Sequence, residues 1–292
     1  MKKVLITGAG SYIGTSFEKW LQQWPEEYEA VTVDMIGNAW REVSFAGFDA
    51  VFHVAGIAHS DSGKITEEKK ALYYRVNTDL TIETAKKAKA DGVKQFIFMS
   101  SIIVFGESAP MGKEKIITKD TIPQPANCYG DSKLQAENGI LPLQDDCFNV
   151  VVIRPPMIYG KGCKGNYQTL VKFAKKFPVF PDIVNQRSML YVGNLCEFVR
   201  LMISNHEKGV FHPQNAEYVC TAEMVRLIGE AHGKQVRLVK WLNPLVRVAG
   251  CFTGVVDKAF GSLVYEMINN ECYSGYWIHN TVESINETEK LT

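Results

Sequence analysis

No two cysteines in the chain are spaced as Cys-x-x-Cys, and the seven present, at positions 128, 147, 163, 196, 220, 251 and 272, are odd in number. Zinc ribbons and disulfide frameworks both rest on paired spacings, so the thiols read as reduced ones in a cytoplasmic compartment. An excess of either charge is missing too: Lys plus Arg and Asp plus Glu stand at 32 each. Without a basic field there is no footprint for nucleic acid, and without an acidic excess no solvating tail. No apolar run reaches the roughly 20 residues of a transmembrane helix. The longest, WLNPLVRVAGCFTGVV from Trp241 to Val256, is interrupted by Asn243, Pro244 and Arg247. It is expected to pack inside the protein, a peripheral membrane contact being the alternative. The basic start Met1-Lys2-Lys3 has the look of a secretory leader, yet its apolar stretch stops at Ile6 before a glycine turn. Histidines in HExxH spacing are absent. His53 falls within an apolar strand pattern and His59 in the loop after it, so no metal site is expected.

What the chain does have is a rhythm. Compact apolar runs, KKVLIT, AVTVD ending at Asp34, AVFHVA from Ala50, QFIFMS from Gln95 and NVVVIR from Asn149, alternate with helical patterns. That alternation predicts βαβ units around a buried parallel sheet. Ile13, Phe17, Leu21 and Trp24 recur at helical spacing before Pro25, and Leu72, Val76, Leu80, Ile82 and Ala85 before Asp91-Gly92. After Arg154 the rhythm loosens into Gly, Pro and aromatic residues. The expected fold is therefore α/β: a doubly wound, Rossmann-type parallel sheet over residues 1–160, rejoined by part of 186–215. A smaller C-terminal substrate-binding lobe makes up most of 161–292.

The first strand runs into ITGAGSYIG. Gly8 lets the chain leave the strand sharply, and Gly14 lets the first helix pack closely, aiming free N–H groups at a pyrophosphate. Gly10 softens the turn, and Ser11 stands where a third glycine would be expected; it is small, can donate a hydroxyl, and can cap the helix. Asp34 ends the second strand, where a carboxylate accepts hydrogen bonds from ribose hydroxyls and repels a 2′-phosphate. NAD is thus favoured over NADP, with Arg41 as the residue through which NADP would be held.

The chemistry lies in Asn127-Cys-Tyr-Gly-Asp-Ser-Lys133. Tyr129 and Lys133 share one face of a helix, and an ammonium there is expected to lower the phenol's pKa from about 10 for proton transfer. Cys128, just before Tyr129, lacks a base and reads as packing. Ser100 and Ser101 close the QFIFMS strand at the end where open α/β sheets place their sites.

These motifs, in this order, resemble the extended short-chain dehydrogenase/reductase family, in its nucleotide-sugar epimerase/dehydratase branch. The resemblance is strongest from Lys2 to Gly160. It implies a cofactor held by Gly8, Gly10, Ser11, Tyr12, Ile13 and Gly14, by Asp34, by Val54, Ala55 and Gly56 of FHVAG, and by Asn77 of YRVNTDLT. Tyr129, Lys133 and Pro156 of RPPMIYG complete that set. It makes Ser101, Tyr129 and Lys133 the catalytic residues, with Ser101 also touching substrate. QRSMLYVGNL is similar to the family's diphosphate-gripping segment, assigning that role to Arg187; Lys164-Gly-Asn166 and Phe177–Pro181 fall where the nucleoside sits. The implied substrate is a UDP-sugar of surface polysaccharide synthesis, and the implied assembly a homodimer.

Dehydratases of the branch carry an Asp-Glu pair where this chain has Ile102 and Ile103. Isoleucine does no acid/base work, so a 4-epimerase and a 4-keto-sugar reductase remain. VVDKAFGSLVY is similar to the tail of the reductases. A non-catalytic dinucleotide sensor is the alternative outside enzymology, and retention of both Tyr129 and Lys133 speaks against it.

Overall fold

The computed structural model describes residues 1–58, 65–250, 254–267 and 275–290, so His59 lies outside the described residues. The chain divides into two compact units: Met1–Gly106 with Pro123–Pro155 and Leu195–Pro213, and Glu107–Ile122 with Pro156–Asn194 and Gln214–Thr292. The returning stretch is thus 195–213. Residues 107–122 and 156–160, expected in the first domain, group with the second unit.

The first unit is built on a six-stranded sheet paired in parallel throughout. Its strands include β1 (Lys2–Thr7), β2 (Tyr28–Val33), β3 (Ala50–His53) and β4 (Gln95–Met99), then Asn149–Ile153 and the edge strand Gly209–Phe211. β1 lies between β2 and β3, and the strands then run outward through β4 to the edge. The chain therefore reverses direction across the sheet at β1, and the crevice beyond the strand ends there is where such sheets bind ligands. Val4–Ile6, Val51, Phe52, Phe96–Phe98 and Val150–Ile153 have at most 1% exposure, because helices cover both faces of a parallel sheet.

α1 (Tyr12–Leu21) buries Gly14, Phe17 and Leu21 and stops three residues short of the expected Trp24. Proline disfavours helical geometry in the residue before it, and Trp24 precedes Pro25. The second helical stretch also differs. α2 (Glu67–Tyr73) passes through a π-helical turn, Tyr74–Asp79, into α3 (Leu80–Ala90). The wider turn rotates the face presented to the interior. Tyr73, Asn77, Thr78, Thr81, Thr84, Ala85 and Ala88 are buried, while Leu72, Val76, Leu80 and Ile82 are only half-buried. The threonines are satisfied locally: Thr81 and Thr84 donate to the carbonyls of Asn77 and Leu80.

Among the described residues the second unit has three short parallel strand pairs: Met157–Tyr159 with Met189–Tyr191, Val179–Pro181 with Arg237–Val239, and Ile116–Ile117 with Val264–Tyr265. Helices Asn166–Lys176 and Thr221–Ala231 pack against each other. The Trp241–Val256 segment is not simply interior. Around the helix Asn243–Gly250, Leu242, Val246 and Ala249 line a cavity, while Trp241, Leu245 and Val248 are 60–66% exposed. Among the described residues no helix is long and apolar enough to cross a membrane.

Candidate active site

A cavity of about 820 Å³ opens beyond the ends of β1, β2 and β3. Gly8, Ala9, Gly10 and Ser11 form one wall, Asp34–Asn38 and Arg41 another, and Val54–Ile57 a third. Gly8 has φ 88°, and a Cβ there would stand 3.0 Å from the Ala55 backbone, so only glycine lets the two loops approach this closely. Ser11 is the N-cap of α1: its Oγ accepts from the Gly14 amide at 3.1 Å, which leaves its O–H free to donate outward. No acid occupies the first turn of α1, so nothing there opposes an anion. Turn, helix start and carboxylate fit the pyrophosphate and ribose of a dinucleotide.

Of the residues expected at the cofactor, Gly8, Gly10, Ser11, Asp34, Val54, Ala55 and Gly56 line this cavity. Tyr12, Ile13 and Gly14 form the first turn of α1 outside its wall. A Cβ on Gly14 would meet Ser11 Oγ at 2.7 Å and Val54 at 3.2 Å, so its role is close packing. Pro156 falls in the second unit. Asn77 is fully buried; its Oδ1 accepts from the Ile57 amide at 2.8 Å and its Nδ2 donates to Ser132 Oγ at 3.1 Å. It ties the loop after β3 to α4 (Cys128–Ile140).

That loop is also where the reactive side chains arrive. A Cβ on Gly56 would lie 3.1 Å from Asn77 Oδ1 and 3.2 Å from Lys133 Nζ. Asn127 caps α4 by accepting from the Gly130 amide at 2.9 Å, which fixes the turn carrying Tyr129. Gly130 is required because Ile103 O would be 2.8 Å from any Cβ there. Ser101 starts the tight turn Ile102–Phe105, its Oγ accepting from the Ile103 amide at 3.3 Å, and its side chain is hydrogen-bonded to Tyr129. The structure thus brings Ser101 and Tyr129 into contact, with Lys133 one turn further along α4.

The electrostatics differ from the sequence expectation. Burial dominates Tyr129 and pushes its pKa up, while donation from Ser101 to the phenolate pulls it back. Lys133 is 6% exposed, donates to the Met99 carbonyl at 2.8 Å and lies over the Phe98 ring. Burial lowers it to about 8, against the pull of Glu137. In the protein alone, Ser101 rather than Lys133 is the group that favours the phenolate. His53 is a core residue held between Thr7 and Thr81 hydroxyls at 2.8 and 3.0 Å, and burial lowers its pKa to about 3. Among the described residues no group of three or more His, Cys, Asp or Glu side chains is placed to hold a metal.

Sequence reading missed Glu137. It stands one turn beyond Lys133, accepts from Ser100 Oγ, and is paired with Arg154, which donates from Nη2 at 2.6 Å and Nε at 3.1 Å. Arg154 also lies over Phe105 and beside His212. The signal was present as a Lys-x-x-x-Glu spacing, but its partners, Ser100 and Arg154, follow two strands of the sheet.

In the second unit Asn166, Phe177, Val179–Pro181 and Arg187 line one largely apolar cavity of about 670 Å³. Arg187 Nη1 donates to the Lys258 carbonyl at 2.5 Å, and burial lowers the guanidinium's pKa.

The profile of the NAD dependent epimerase/dehydratase family matches residues 4–215. The chain is 31% identical over 287 residues to UDP-glucose 4-epimerase of Vibrio cholerae, covering 90% of this chain and 86% of that one. It is 27% identical over 277 residues to the N-acetyl-alpha-D-glucosaminyl-diphospho-ditrans,octacis-undecaprenol 4-epimerase of Escherichia coli O157:H7, covering 88% and 81%. Its fold is shared with UDP-glucuronic acid 4-epimerase from Bacillus cereus, solved with NAD, at TM-score 0.72, 17% identity and coverage of 98% and 95%.

Proposed function

Because the chain belongs to the NAD dependent epimerase/dehydratase family, we propose that it acts at C4 of a UDP-linked sugar, as a 4-epimerase, in supplying surface polysaccharide precursors. The observation that carries this reading is the Ser101–Tyr129 hydrogen bond, with Lys133 one turn on and beside Gly56 of the cofactor cavity. When bound, the nicotinamide supplies the acceptor and donor of hydride. Tyr129 removes the C4 hydroxyl proton and later returns it; Ser101 holds the same oxygen and favours the phenolate. Lys133, half charged near pH 8, orients the cofactor ribose and takes part in the proton balance. Asn77 holds the 56–57 loop in place for both.

The relatives named for UDP-glucose and for a diphospho-undecaprenol sugar both act on a hexose carried by a diphosphate. Arg187 is the side chain we assign to that shared diphosphate, and Asn166 to the group beyond it. A 4-keto-sugar reductase is the second reading, favoured by the reductase-like VVDKAFGSLVY, here the helix Val255–Phe260 and strand Val264–Tyr265. Incubation with UDP-glucose and no added reductant is expected to yield UDP-galactose. Consumption of NADH or NADPH only with UDP-4-keto-6-deoxy-N-acetylglucosamine would establish the reductase instead. Light scattering tests the homodimer that belongs to this proposal.

A further inference from the structure

Arg41 is the residue through which a 2′-phosphate would be held, and the structure gives it other partners. Its Nε and Nη2 donate to the two Glu83 carboxylate oxygens at 2.5 and 2.7 Å, a two-point fit between planar groups. Nη1 donates to Asn38 Oδ1, and the guanidinium lies 4.8 Å from the centre of the Trp40 ring, which is 1% exposed and therefore a fixed platform. Glu83 stands on α3 and Arg41 in the short turn Ala39–Glu42 after β2, yet both line the same cavity as Asp34. Asp34 is itself oriented, its Oδ1 accepting from the Ile36 amide at 3.0 Å.

We propose that Glu83 is a second determinant of cofactor choice, acting by holding Arg41 away from the ribose. The inference rests on the dinucleotide reading above. A 2′-phosphate would bring up to two negative charges into a wall already carrying Asp34, Asp79 and Glu83. Of the two guanidinium groups in that wall, Arg41 and Arg75, the one in the same stretch as Asp34 is already engaged with Glu83. A 2′-hydroxyl carries no charge and meets no such penalty. The pair is half-exposed, so its worth lies in directing Arg41 rather than in fold stability.

The test is a double-mutant cycle read by binding rather than turnover. Wild type, Glu83→Gln, Arg41→Ala and the double variant are titrated with NADH and with NADPH, following reduced-cofactor fluorescence. Glu83→Gln is expected to raise affinity for NADPH relative to NADH about tenfold, and adding Arg41→Ala is expected to erase the gain. An unchanged ratio in Glu83→Gln overturns the inference. So does a gain that survives in the double variant, because Glu83 would then act through its own charge alone. Failure of wild-type protein to bind NADH would overturn the dinucleotide reading and this inference with it.

Discussion

The carboxylate of Glu137 and the guanidinium of Arg154 form a buried ion pair, Nη2 donating at 2.6 Å and Nε at 3.1 Å to both oxygens. Glu137 is fully buried and Arg154 nearly so. Breaking such a pair from one side leaves an uncompensated buried charge, at a cost of about 3–5 kcal/mol. Glu137→Ala is therefore expected to lower stability by that order. Glu137→Gln also removes the charge but keeps an oxygen that accepts from Ser100 Oγ, and should cost less. Urea unfolding of both variants checks the ranking; an alanine variant no weaker than the glutamine one would contradict it.

Tyr129→Phe removes the group assigned to proton transfer and leaves the ring packed near Tyr73. Turnover is expected to fall at least about a thousandfold, while NADH titration remains saturable. Because burial holds the phenol's pKa up, raising pH increases its phenolate form. The sugar-oxidising half-reaction of wild type should therefore speed up with rising pH, and the residual rate of Tyr129→Phe should lose that dependence. Single-turnover formation of NADH across pH 6–9 (about three units) reads both.

Lys133 gives a prediction whose sign is opposite to that of an ordinary ion pair. Its amine is lowered from 10.5 to about 8, so between those values the unfolded chain binds more protons and stability rises with pH. Below about 8 the folded chain bears the full cost of a buried ammonium. Lys133→Met should abolish turnover yet stabilise the fold near pH 7, by on the order of 1 kcal/mol after loss of the Met99 hydrogen bond. The advantage should fade above about pH 10. Thermal melts at three pH values measure it, and a variant less stable at pH 7 than at pH 10 relative to wild type would reverse the sign.

The reach of sequence reading followed the range of the interaction involved. The first five strands of the sheet, the glycine turn, Asp34 and the shared face of Tyr129 and Lys133 are local patterns, each set by spacing along one element. Gly209–Phe211 is too short for any alternation to register. The π turn at Tyr74–Asp79 shifted the buried face of a helix whose apolar spacing implied another. Glu137 with Arg154, and Arg41 with Glu83, are pairings fixed by three-dimensional neighbours. The phenol's pKa went the same way: Lys133 is one turn from Tyr129 along α4, but burial, which no spacing reports, sets the direction.

Gly8 and Ser11 make separable contributions to the opening turn. Gly8→Ala places a methyl 3.0 Å from the Ala55 backbone at a φ of 88° that side-chain-bearing residues avoid, so the β3 loop must shift. A loss of about 1–2 kcal/mol in stability and at least about tenfold in NADH affinity is expected. Ser11→Gly keeps the close approach to phosphate and loses only the cap on Gly14, worth a few tenths of a kcal/mol (about 0.3) when glycine replaces serine. Ser11→Ala removes the cap without that relief and should cost about 1 kcal/mol. If the outward O–H of Ser11 donates to the pyrophosphate, both Ser11 variants lose NADH affinity equally, by about threefold to tenfold, whatever their stability. Equal affinity in wild type and both variants, by the same fluorescence titration, would leave Ser11 as a helix cap and nothing more.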